Sequence, residues 1–133
     1  MIHSSDIDVF DEWNEEKKFL HLSLIKKPRF HEREIWWCSI GKNLGDEQDG
    51  KNAFFERPVL ILKKFNDYIA WVLPLSSKLK IGPYYYAILL NKQYRSIILS
   101  QLRLVSVKRF RRIMIKIPSA QFRLIRAKIK NLL

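Results

Sequence analysis

A single cysteine, Cys38, leaves nothing to pair with inside the chain, so a disulfide-stapled extracellular scaffold is excluded and a reducing compartment is expected. Cys38 lies in the apolar run Ile35-Trp-Trp-Cys-Ser-Ile40, which suits a buried structural thiol. Histidine stops at His31, and no Cys pair, HxxxH spacing or cluster of His with Asp or Glu exists, which removes the usual metal-ligand sets. The same lack of a later histidine, with no Gly-x-Ser-x-Gly turn, removes a Ser-His-Asp hydrolase. Gly41-Lys-Asn-Leu-Gly45 lacks the closing Gly-Lys-Ser/Thr of a phosphate loop. No apolar run approaches the roughly 18 residues of a membrane span, and acidic residues open the chain, so a cytoplasmic protein without signal peptide is expected. With four glycines and five prolines among 133 residues, and 47% hydrophobic residues, the composition is that of one globular domain.

The acids are unevenly spread. Residues 1–16 carry six Asp or Glu and no Lys or Arg, whereas residues 68–133 carry fourteen Lys or Arg and no acid, within a net charge of +12. A surface so one-sided repels itself, and that cost is offset when phosphates bind and release their counterions. Nucleic acid is the expected partner, and an acidic protein tail would satisfy the same field.

Ser4-Ser-Asp-Ile-Asp reads as a helix start, with Ile7, Phe10, Trp13, Leu20 and Leu24 following at helical spacing and Pro28 ending it. Residues 1–30 are therefore expected to form an amphipathic extension packed on a domain spanning 31–133. From Glu34 the runs become short, β-branched and aromatic, predicting strands over 34–40, 58–65, 68–75, 84–90 and 96–107. Asn66-Asp67 predicts a two-residue hairpin turn, because both residue types tolerate positive φ. After Pro118 a Ser119 cap opens a closing helix, whose Phe122, Ile125, Ile129 and Leu132 form one apolar stripe. Short strands without long crossovers point to a small twisted antiparallel sheet or barrel. Tyr84-Tyr85-Tyr86 should expose at least one ring, for core or dimer packing or for base stacking.

What remains for chemistry is what Arg, Ser and carboxylates can do to a phosphodiester. Pro58 biases the preceding residue to extended geometry, so Arg57 starts a strand with its backbone nearly fixed and a planar donor fork suited to phosphate oxygens. The alternative is an Arg57 that pairs with Glu56 or Glu47 at the surface. Pro74-Leu-Ser-Ser-Lys78 ends the neighbouring strand, and across a hairpin Arg57 and Ser76 meet on one rim.

The ordered series Glu34-Ile-Trp-Trp37, Asn43-Leu-Gly-Asp-Glu-Gln48, Arg57-Pro-Val-Leu-Ile61, Pro74-Leu-Ser-Ser-Lys78, Ser100-Gln-Leu-Arg103 and Ile125-Arg-Ala-Lys-Ile129 resembles the MazF/PemK family of toxin endoribonucleases. The resemblance implies a mainly β, SH3-like barrel with flanking helices, the N-terminal extension lying outside the family core. It implies a homodimer that cleaves single-stranded RNA without metal or other cofactor, leaving 2′,3′-cyclic phosphate and 5′-hydroxyl ends. It also implies a cognate antitoxin with an acidic disordered tail and, through that complex, operator DNA. Residue by residue, it assigns catalysis to Arg57 and Ser76. Glu47, or a bound water, accepts the proton. Gln48, Ser77, Lys78, Gln101 and Arg103 are assigned to RNA binding. Two departures, a longer loop between Gln48 and Arg57 and Ser in place of the more frequent Thr at Ser76, make the cut sequence particular to this chain. The alternatives are a CcdB-like gyrase-binding toxin on the same barrel and a non-catalytic RNA- or DNA-binding module.

Overall fold

The computed structural model describes residues 27–41 and 56–133. The expected N-terminal helix, and the loop with Glu47, Gln48 and residues 51–55, lie outside the described residues. The remaining chain forms seven strands and one helix: β1 (Glu34–Ser39), β2 (Glu56–Lys64), β3 (Ile69–Ser76), β4 (Tyr85–Leu90), β5 (Gln93–Ile98), β6 (Arg103–Ser106), β7 (Phe110–Lys116) and α1 (Ser119–Leu132). All strand pairs are antiparallel, in the order β4-β5-β3-β2-β1-β7, with β6 joining β3 off that path. The result is a half-barrel closed by a C-terminal helix.

β2 and β3 are buried on both faces, which is why their sequences read as unbroken apolar runs. Side chains alternate across a strand. Val59 and Ile61 therefore pack with Trp36, Cys38, Val72 and Phe110 on one face, while Leu60 and Leu62 pack with Ile35, Leu73 and Leu75 on the other. The helix serves the second face, where Phe122 and Ile125 are buried and Ile129 packs against the cluster. Ile117 anchors the helix entry: its N–H donates to the Arg33 carbonyl at 2.9 Å, and Arg33 Nε donates back to the Ile117 carbonyl at 3.1 Å. Among the described residues, no helix is long and apolar enough to cross a membrane.

Four sequence-based expectations change. The β2–β3 connection is a four-residue loop, 65–68, and Asn66 acts there by its side chain rather than by positive φ: Oδ1 accepts from the Tyr68 and Ile69 N–H groups at 2.8 and 3.1 Å. The tight two-residue turn with positive φ lies elsewhere, at Asn91 (49°) and Lys92 (64°), joining the paired residues Leu90 and Gln93. The run 96–107 is not one strand: a 3-10 turn at Leu99–Gln101 breaks it, so that β5 and β6 each pair with a different half of β3. β7, which the apolar pattern alone did not single out, pairs with β1 through two register shifts. At the helix, Pro118 is the N-cap and Ser119 is already the first helical residue, with no side-chain cap bond. Tyr84 is the exposed ring of its trio, and Tyr85 and Tyr86 are half-buried.

Replacing Asn66 with Gly should lower unfolding free energy by about 1 kcal/mol, because two backbone donors lose their acceptor, while Asn66→Asp should be near neutral. Urea denaturation of the two variants distinguishes a side-chain acceptor from a positive-φ requirement, under which Gly would be the better residue.

Candidate active site

The start of β2 and the end of β3 meet at one rim of the half-barrel. The β2–β3 ladder sets Val59 against Pro74, and continuing that register by two residues brings Arg57 level with Ser76. On its other side Arg57 pairs with Cys38, and Pro58 with Trp37. A proline in a sheet donates no ladder hydrogen bond, so it fits at the first steps of a strand. Arg57 is only 5% exposed, and its Nη1 donates to the Leu75 carbonyl at 3.1 Å. This charge-assisted bond orients the guanidinium against the end of β3.

Ser76 pairs with Ser96 across the β3–β5 ladder, and both are buried. Ser76 Oγ accepts from the Lys78 N–H at 3.2 Å and Ser96 Oγ from the Lys80 N–H at 2.7 Å. Two adjacent hydroxyls thus pin the turn that leaves β3, holding Ser77 and Lys78 exposed at its crest. Gln101 ends the 3-10 turn and Arg103 opens β6, both half-buried. Because Arg103 pairs with Val72, it shares the face of β3 that Ser76 also occupies. Arg57 on β2, Ser76 on β3 and Arg103 on β6 therefore lie on one face of three neighbouring strands. Glu47 and Gln48 are outside the described residues.

The surrounding field is strongly positive. Burial pushes the Cys38 thiol up to about 12, against the lowering effect of Arg109 and Arg103, and Glu56 adds a smaller rise. Arg109 is held below its usual value chiefly by burial, with the like charge of Arg103 acting in the same direction. Burial likewise lowers Arg111, whose Nε donates to Ser39 Oγ at 2.8 Å. Glu56, buried, takes Arg112 Nη1 at 2.8 Å, and the Arg112 guanidinium also lies 4.9 Å from the Trp37 ring centre. Arg57 is buried rather than on the surface, and Glu56 pairs with Arg112. Among the described residues no three of His, Cys, Asp and Glu are grouped to hold a metal ion.

Sequence reasoning missed Arg109, Arg111, Arg112 and Ser96. The three arginines counted only as charge, since the run Lys108-Arg-Phe-Arg-Arg112 was not placed on a strand beside β1. Ser96 looked like an ordinary strand residue, and only its pairing with Ser76 gives it a role.

Residues 31–133 match the family model described as PemK-like, MazF-like toxin of type II toxin-antitoxin system. The chain belongs to this family. A Mycobacterium tuberculosis toxin, MazF-mt6, is similar in structure, with a TM-score of 0.58 at 17% identity, over 74% of this chain and 94% of that one. A second solved structure, of an Mtb toxin, gives a TM-score of 0.51 at 19% identity, over 58% and 92% of the respective chains. At such identities these two structures support the fold. No curated protein sequence matches the chain.

In this PemK-like chain the lone cysteine is insulated rather than reactive. The thiolate is the nucleophile, so Cys38 should resist iodoacetamide at about pH 8 while the protein is folded and react once it is denatured. As pH rises from the ordinary 9.0 toward about 12, the unfolded chain releases the thiol proton before the folded one does, so stability falls across that window. Urea unfolding of the Cys38→Ala variant over the same range should show a shallower fall than the parent.

Proposed function

We propose that this PemK-like toxin is an endoribonuclease that cuts single-stranded RNA at the rim formed by Arg57 and Ser76, without a metal ion. The observation that carries the reading is the buried, backbone-oriented Arg57 guanidinium on the same face as Ser76 and Arg103. Donors fixed in advance toward developing charge are commonly the largest single contribution to catalysis, and a dry setting strengthens them.

In this mechanism the RNA 2′-hydroxyl attacks its own phosphorus, the P–O5′ bond breaks and the leaving 5′-oxygen takes up a proton delivered with the help of Arg57 or from water, giving a 2′,3′-cyclic phosphate and a 5′-hydroxyl. Arg57 stabilises the phosphorane. Arginine keeps its proton at all ordinary pH values, so it serves as donor and not as base. Ser76 orients the phosphate from the end of β3. Glu47 or a bound water accepts the proton. Lys78 and Ser77 at the turn crest, with Gln48, Gln101 and Arg103, hold the flanking backbone, and Arg109 extends the same positive field. Antitoxin binding, a homodimer, operator contact through the antitoxin complex and a cytoplasmic setting belong to this reading as well.

A non-catalytic RNA-binding reading is favoured by one feature, the depth at which Arg57 is buried, since such an arginine can serve the fold. Long RNA incubated with the protein in EDTA separates the two: discrete fragments ending in cyclic phosphate support the nuclease, and binding without cleavage supports the module. Arg57→Ala should lower the cleavage rate by about 10²-fold or more, the scale for losing one preorganised donor. It also removes the donor to the Leu75 carbonyl, at a stability cost of about 1 kcal/mol. Arg57→Lys, which keeps charge but not the planar fork, should fold better and still cut poorly. Parent-like cutting by Arg57→Lys would remove the requirement for the planar fork, and parent-like cutting by a folded Arg57→Ala would remove Arg57 from the mechanism.

A further inference from the structure

The end rung of the described β1–β2 ladder sets Ser39 against Glu56, one residue before Arg57. Paired residues of an antiparallel ladder present their side chains on the same face, so Ser39 and Glu56 stand side by side on the face opposite Arg57. Both are buried, and each is held by an arginine of β7. Arg111 Nε donates to Ser39 Oγ at 2.8 Å on the neighbouring strand, and Arg112 Nη1 reaches over β1 to donate to Glu56 Oε2 on β2, also at 2.8 Å. On the way the Arg112 guanidinium lies across Trp37, 4.9 Å from the ring centre.

Consecutive side chains of a regular strand point to opposite faces, so Arg111 and Arg112 could not both serve one rung from an unbroken β7. A bulge removes the conflict. Trp37 pairs with Arg112 and Cys38 with Phe110, which leaves Arg111 as the extra residue between them, and such an insertion re-aims side chains locally. The rung that receives them is one that would otherwise open readily, because ladder ends have the lowest local stability. Arg57 stands one step inside it. Pro58 restricts the Arg57 backbone from the following position, and Glu56, at the preceding one, is fixed from β7.

We infer that Arg111 and Arg112 are positioning residues for Arg57: through the bulge of β7 they hold the Ser39–Glu56 rung and so keep the start of β2 closed where Arg57 projects. This role rests on the reading of Arg57 as the catalytic donor. It differs from adding charge for an RNA backbone, since both side chains spend hydrogen bonds on the rung. A preoriented donor is sensitive to its origin, and a displacement of about 1 Å caused away from the chemistry can lower a rate by on the order of 10²-fold.

Two measurements on the full chain test it: cleavage kinetics on a single-stranded RNA oligonucleotide, and amide hydrogen exchange without RNA. Arg112→Ala should lower kcat by about tenfold or more while KM changes by less than about twofold, as for a group acting in the transition state and not in binding. The same variant should accelerate exchange in residues 56–62 and leave the β4–β5 hairpin at the parent rate. Glu56→Gln should reproduce both effects from the other side of the pair, and Arg112→Lys, which can keep the ion pair, should recover most of each. In an Arg57→Lys background, Arg112→Ala should lower kcat little further, because its effect passes through the planar fork. A raised KM with unchanged kcat would make Arg112 an RNA-backbone contact and overturn the proposal. Parent-like exchange in residues 56–62 overturns it too, as does acceleration across all segments, which would reduce the pair to a stability role. A parent chain that binds RNA without cutting it fails the nuclease reading and takes this role with it, whereas a parent and an Arg112→Ala variant that cut equally well fail this role alone.

Discussion

The antiparallel register that sets Val59 against Pro74 ties the two ends of the central hairpin together, and the geometry of the rim follows from it. Moving that register by one residue would turn every side chain of β2 to the opposite face. Such a slip is prevented because both faces of β2 and β3 are buried: Val59 and Ile61 have partners on one side, Leu60 and Leu62 on the other. The apolar run after Pro58 is therefore the device that fixes where Arg57 and Ser76 stand. A charged side chain at 5% exposure is tolerated at the end of this ladder because the Leu75 carbonyl receives it.

β3 gives the half-barrel its second constraint. Its first half pairs with β6 and its second half with β5, and the 3-10 turn at Leu99–Gln101 carries the chain from one to the other. That switch places Ser96 beside Ser76 and Arg103 beside Val72, so residues seven positions apart in sequence approach one strand from two successive partners. The turn after β3 is then held by hydroxyls instead of glycine, and Arg103 of β6 and Arg109 of the segment after it both act electrostatically on the buried Cys38. Glu56, buried and paired with Arg112, is an acid built into this corner.

Much of this was legible in the chain itself. The strands around Trp36, Val59 and Val72 announce themselves because they are buried on two faces and carry β-branched and aromatic residues. The closing helix announces itself because Phe122, Ile125 and Ile129 recur at helical spacing. The misreadings share a cause. Asn66 and Asn91 have the same intrinsic tolerance of positive φ, and only the pairing of the flanking strands decided that Asn91 takes the tight turn while Asn66 lends its side chain to a longer one. β7 escaped notice because its apolar residues, Ile113 and Ile115, remain partly exposed at the sheet edge, where periodicity is weakest. The candidate rim was legible as motif order, in Arg57-Pro58 and Ser76, whereas the placement of Ser96, Arg109, Arg111 and Arg112 was not, since each takes its neighbours from strands distant in sequence.

By itself the sequence determined the one-sided charge of its second half, the absence of the usual metal and hydrolase constellations from its motifs, and the identity of the arginine whose backbone is fixed by the following proline. These follow from composition and local chemistry, which do not depend on folding. Tertiary structure decided what surrounds that arginine. It buried Arg57 against Leu75, paired Glu56 with Arg112, and buried Cys38 within the field of Arg103 and Arg109. Such pairings depend on register and sheet curvature, which arise only when strands far apart in the chain are brought side by side.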